Sequence, residues 1–288
     1  MSWMRSLASA LVAACALLAF ANANVWAAGP SWLVDGARFD CEKATEGARY
    51  KTLLECLGGE RSTTEEKWER NALASTSGKL LAGQGASFEA VNTSKFKLKA
   101  GSEITLECDV MSSTGTLDGG PPAKSHLAIV LKDCSVEGRS EGECHVSSAG
   151  RPVGTIATDA ESEVVYLGTK KEAEKEEGLL GELYVPEQGE VFATIVIDGT
   201  DCPTFSKGEQ ELKGNVIAEI EPINSMAKTE TTAFPSTSID DGWRWVSKGK
   251  VEEILAVGLH WFGIIEMVLT GEAEAQLESS EEWGVTTK

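Results

Sequence analysis

The chain is poor in the residues that metal and nucleophile chemistry need. It has three histidines in 288 residues. His126, His145 and His260 stand far apart, and none falls in H-E-x-x-H or another metal-ligand spacing. No C-x-x-C pair occurs, which argues against a zinc ribbon or a thioredoxin-like site. There is no G-x-S-x-G, so a nucleophile elbow has no support. Neither a P-loop nor a dinucleotide fingerprint follows a strand. The sequence therefore predicts no cofactor, no metal and no assignable catalytic residue.

Positive charge is also scarce. There are 26 Lys and Arg against 45 Asp and Glu, a net charge of -19. Such a surface repels phosphate backbones and anionic head groups, so nucleic acid is excluded as a partner class. The acidity reads as solubility.

Long apolar runs are few. Residues 7–20 (LASALVAACALLAF) follow Arg5 and precede two small-residue cleavage sites, Ala21-Asn22-Ala23 and Val25-Trp26-Ala27. A bilayer span needs about 20 residues. The run is shorter, and its flanks are those of an export signal. Residues 1–27 are read as a signal peptide and 28–288 as one secreted β-rich domain, secreted or held at the cell surface. Residues 251–269 are the most apolar part of the remainder, but His260 and Glu266 interrupt them. No stable membrane span is expected in the mature chain. A long strand fits better, with Glu272, Glu274, Gln276 and Glu278 on its wet face.

With Cys15 in the signal, six cysteines remain, and an even number in an exported chain implies disulfides. Short loops favour Cys41–Cys56 and Cys134–Cys144, which leaves Cys108–Cys202 as a long-range tie.

From Lys79 onward the apolar period is two. Phe96 and Leu98 alternate with lysines. Ile104, Leu106, Cys108 and Val110 are expected to face inward. Residues 126–131 suit a buried strand. Residues 153–158, 163–167, 181–185, 191–198 and 214–220 continue the series, with turn residues between them. Residues 41–75 are rich in helix formers, with a capping-box pattern at Thr63 and Glu66. The charged run 170–177 reads as a helix or a solvated loop. The fold expected is all-β, a mostly antiparallel sandwich or barrel with a small helical insertion near the N-terminus, at about 41–75.

Candidate functional residues are few. Trp243 and Trp245 lie two apart, so in a strand both indoles face one side. Exposed, they form a ligand platform for sugar; buried, they are core. Core is the preferred reading. Asp198-Gly199-Thr200-Asp201 and Asp240-Asp241-Gly242 could hold a cation, but Asp and Gly are also turn residues, and the turn reading is preferred. Cys144 beside His145 suggests a Cys–His pair only if the thiol is free.

The stretches FKLKAGSEITLECDV (96–110), IVLKDCSVE (129–137), GECHVSSAG (142–150) and LKGNVIAEIEPINSMAK (212–228), in that order, resemble secreted, uncharacterised β-rich proteins of soil actinobacteria of the Thermoleophilia type. The likeness spans roughly the middle half of the chain. It implies export, β architecture and bacterial origin. Bacterial origin also devalues Asn92-Thr93-Ser94 as a glycosylation site. That family has no assigned activity, so no functional residue carries over. The function expected is that of a binding or structural component of the cell exterior, with cell-wall or extracellular glycan as the partner class considered. The alternative is an extracellular hydrolase acting on polysaccharide through an Asp/Glu pair.

Overall fold

A computed structural model describes residues 29–35, 39–43, 68–72, 79–80 and 83–287, apart from short gaps at 102–103, 140–142, 204–205, 238, 240–241, 248, 255–257 and 262–264. For 39–43 and 68–72 it describes the backbone alone. The strands are β1 (Ser31–Val34), β2 (Phe39–Lys43), β3 (Trp68–Ala72), β4 (Gly85–Asn92), β5 (Phe96–Ala100), β6 (Ile104–Asp118), β7 (Lys124–Val136), β8 (His145–Ser147) and β9 (Ile156–Leu167). They continue with β10 (Leu180–Pro186), β11 (Val191–Asp198), β12 (Gly208–Glu221), β13 (Glu230–Phe234), β14 (Gly242–Ser247), β15 (Lys250–Glu253), β16 (Gly258–Trp261), β17 (Ile265–Leu277) and β18 (Trp283–Thr286). One helix is described, α1 (Lys170–Glu174).

The main sheet has 14 strands, and it closes on itself. In sequence around the ring, β9 pairs with β7, β7 with β6, β6 with β4, β4 with β17, β17 with β13, β13 with β12, β12 with β10, and β10 again with β9. Every ladder is antiparallel. Closure leaves these strands without a free edge, which removes the usual template for edge-to-edge aggregation. Toward the other end of the barrel, β5 takes the place of β4 between β6 and β17, and β16 takes the place of β13 between β17 and β12. There β11 replaces β10 on the edge of β12 and carries β8.

Alternation sets the inner wall. Ala273, Ala275 and Leu277 of β17 are buried, while Glu272, Glu274 and Gln276 are exposed. The wet and dry faces read from the sequence are thus the outer and inner walls. In β6 the alternation changes phase. Ile104, Leu106 and Cys108 face inward, and so do Met111, Ser113 and Leu117. Val110, expected inside, is 41% exposed. Opposite the break, Asp133 of β7 takes a left-handed backbone conformation with φ 53°. The kink switches which parity faces the core on both strands, as bulge-like irregularities do.

The two ends differ. One is stopped by the small sheet of β1 and β18. Trp32 and Trp283, both 1% exposed, meet there with ring centroids 5.8 Å apart, and Trp283 lies 6.2 Å from Phe88 of the barrel wall. Trp32 Nε1 donates to Lys124 O at 2.7 Å, and Ala123 N donates to Pro30 O at 2.9 Å. The other end is filled by a packed layer that includes Ile104, Val136, Val146, Ile197, Leu259 and Met267.

The expected helix is displaced. Its margins at 39–43 and 68–72 are paired strands, and the part between them lies outside the described residues. The described helix falls in the charged run instead. Thr169 caps it, and Glu172 returns the bond to complete a capping box. The apolar run 251–269 is not one strand but parts of β15, β16 and β17. The segments 153–158 and 163–167 merge into the single strand β9.

Among the described residues the disulfides are Cys108–Cys134 and Cys144–Cys202. These replace the expected Cys134–Cys144 and Cys108–Cys202. Loop length misled because antiparallel pairing sets Cys108 directly opposite Cys134 on neighbouring strands, Cα to Cα 4.0 Å. The β8–β11 ladder then brings Cys144 to Cys202. Cys41–Cys56 involves side chains that lie outside the described residues.

Candidate functional site: a polar cluster inside the barrel

Between the tryptophan plug and the packed layer, the barrel encloses a cavity of about 110 Å³. Its walls are mostly apolar, with Phe88, Phe96, Leu127, Phe192, Val216 and Phe234 among the lining residues. Small side chains leave room in the wall at Ala273 and Ala275. Gly271 is needed for a related reason: a Cβ there would come within 2.8 Å of the Phe96 ring.

Polar groups interrupt this lining in one region. Glu182 of β10 is 5% exposed, and Glu230 of β13 is 2% exposed. Glu182 Oε1 accepts from Ser162 Oγ of β9 and from Ser125 Oγ of β7, the latter at 3.3 Å. The Ser125 and Ser162 oxygens also lie 2.6 Å apart, so one serine can donate to the other in place of its bond to Glu182. Glu182 Oε2 accepts from the Tyr184 hydroxyl. Glu182 therefore has hydroxyl donors on both oxygens. Glu230 does not: its Oε2 is buried without a hydrogen-bond partner among the described residues, and so is Ser113 Oγ on the facing strand β6.

Burial pushes both carboxyls above the ordinary carboxylate range. For Glu182 the hydroxyl donors oppose the shift without cancelling it. For Glu230 the charge of Glu182 adds to burial, and its pKa stands well above the usual value. Tyr184 is pushed up by burial and then by Glu182. Two acids facing one low-dielectric space resist double ionisation. The arrangement can hold a proton, donate or accept hydrogen bonds, and receive a positive charge. Among the described residues no cluster of His, Cys, Asp and Glu could hold a metal ion.

The residues singled out from the sequence lie elsewhere. Trp243 and Trp245 are half-buried on β14, outside the ring. Trp243 Nε1 donates to Gly168 O at 2.9 Å, and Lys170 Nζ lies 5.8 Å from its ring centroid. Trp245 packs against Gly29. Cys144 is oxidised with Cys202, so it makes no catalytic pair with His145. The 198–201 segment behaves as a turn. Asp198 Oδ1 accepts from Gly199 N at 2.8 Å, Asp201 pairs with Arg139 at 3.2 Å, and a Cβ on Gly199 would strike Glu143 O. Asp240 and Asp241 lie outside the described residues.

Sequence reasoning missed Glu182 and Glu230. A signal existed for the first: Glu182 is the one charge in Leu180–Val185, a strand too apolar to be half solvated. No such signal marked Glu230, which opens its strand, where a carboxylate is ordinarily wet.

Comparison with protein-family models, with curated proteins and with solved structures finds no match to this chain. The two disulfides in a β-rich fold fit an extracellular protein. No described helix is long and apolar enough to cross a membrane.

Proposed function

We propose that this is a secreted binding protein of the cell exterior whose site is the barrel interior, where it takes up a small, largely apolar molecule with a polar end. The observation that carries this reading is the buried carboxyl group of Glu230 facing an apolar cavity without a partner. An acid left unpaired in such a place destabilises the fold. A bound molecule with a hydrogen-bond donor would relieve that penalty, and apolar walls with a few convergent polar groups are the usual make-up of small-molecule sites.

Hydrolysis of polysaccharide fits less well. A glutamate pair is present, but an engineered cavity of about 150 Å³ holds one benzene. A chamber of about 110 Å³ has no room for a hexose ring.

The test is a thermal-shift titration of purified protein with alcohols and amines of four or five heavy atoms, repeated on Ala275→Leu, which fills the chamber. The parent should be stabilised in a saturable way and the variant should not. Equal shifts in both proteins would remove the chamber from the account.

A further inference from the structure

We infer that the molecule held in the chamber is a small organic cation, a protonated alkylamine or similar ammonium, received by Glu230 with Glu182 beside it. This rests on the binding reading above and narrows it to a chemical class.

Two observations favour a cation over a neutral donor. First, the polar side chains gathered at one end of the chamber are carboxyl groups and hydroxyls, those of Glu182, Tyr184, Glu230, Thr232 and Ser113, while Lys97, the one basic residue of the lining, is 40% exposed and paired with Glu107 at 2.6 Å and Glu137 at 3.5 Å. An anion would meet repulsion there, and an alcohol would satisfy one acceptor with one donor. An ammonium brings three donors and the opposite charge to Glu230 Oε2, the oxygen that lacks a donor. Second, the remaining wall is rich in aromatic rings. Phe88, Phe96, Phe234, Tyr184, Trp32 and Trp283 all line the cavity. Phe234 is in edge contact with Phe96 and lies 5.6 Å from Tyr184. Aromatic faces attract cations and apolar chains alike. Size restricts the class further, since about 110 Å³ admits roughly four or five heavy atoms on the benzene scale.

Binding displaces a proton. In the empty protein burial favours the protonated form of both acids, and the charge of Glu182 favours it further at Glu230. Among the described residues, the titratable groups facing Glu230 are Glu182 and Tyr184, both on β10; Lys97, elsewhere in the lining, is paired with Glu107 and Glu137. The cation arrives as R–NH3+, the carboxyl gives its proton to solvent, and a carboxylate–ammonium pair remains.

The probes are n-butylammonium and 1-butanol, which match in shape. Calorimetry near pH 7 in two buffers of different ionisation enthalpy gives both affinity and proton release. The amine should bind at least tenfold more tightly than the alcohol and release close to one proton per molecule bound. Glu230→Gln should remove the preference and the proton release. Butanol binding as tightly as the amine would overturn the cation assignment and leave the chamber reading intact. Binding of neither probe to the parent would overturn both. The comparison on the parent does not depend on the variant folding.

Discussion

Tyr184 donates its phenol proton to Glu182 inside the barrel, two residues along the same strand and on the same inward face. Both side chains are buried, so the bond is not readily traded for one to water. Tyr184→Phe keeps the ring against Phe234 and deletes the donor. A loss of about 1–3 kcal/mol is expected, the scale for stripping a partner from a buried acceptor. Denaturant unfolding of parent and variant gives the value. A neutral result would mean that Glu182 is satisfied without Tyr184.

The glutamates also set a pH dependence. Their folded-state pKa values lie above the ordinary 4.5, so the native state binds more protons than the unfolded one. Their contribution to stability is present below pH 4.5 and is lost as pH rises through the raised values. Glu230→Gln removes part of this loss. Relative to the parent, the variant should gain at least about 1 kcal/mol between about pH 5 and about pH 8, close to what a tenfold difference in proton affinity is worth. Unfolding curves at the two pH values provide the comparison. Parallel behaviour of the two proteins would show that Glu230 ionises normally.

The disulfide pattern is directly checkable. Peptide maps of unreduced protein should contain Cys108 linked to Cys134 and Cys144 linked to Cys202. Removing the first by Cys108→Ala with Cys134→Ala should cost about 3.5 kcal/mol on the loop-entropy scale for a separation of 26 residues. A Cys134–Cys144 peptide would contradict the β6–β7 register itself.

Much of the barrel was legible from the sequence. The strand Val191–Asp198 was read at its true limits. The period of two in Glu272–Leu277 told which side was wet. What failed depended on partners distant in sequence. Val110 continues a clean alternation, and only the turn of Asp133 on the neighbouring strand puts it outside. Glu182 was obscured because β10 is covered on both faces. Leu183 packs outward with Val165, Leu167, Ile217 and Ile254 in a second small core, so both faces of the strand carry apolar side chains. The site is made by five strands of the barrel, β6, β7, β9, β10 and β13, and no local spacing in the chain encodes their meeting.

Trp243→Ala addresses the glycan platform. The indole is half-buried and anchored to Gly168 O, so a loss of about 1–3 kcal/mol is expected, below the 3–5 kcal/mol of a full core site. Binding in the chamber should be unchanged. Loss of carbohydrate retention in a variant as stable as its parent would instead assign ligand binding to β14.

Export can be read from the mature N-terminus. Gly29 and Pro30 are buried, and Pro30 O holds Ala123 N. Cleavage after Ala23 or Ala27 keeps both. N-terminal sequencing of secreted protein should begin between Asn24 and Gly29; a product starting at Met1 or Ser2 would refute the signal.

The most direct measurement is a crystal structure of the protein soaked with n-butylammonium. Density for the amine is expected inside the barrel, its nitrogen within hydrogen-bond distance of Glu230 Oε2 and its chain against the aromatic wall. An empty chamber beside amine bound only on the outer surface would contradict the claim that the barrel interior is the binding site.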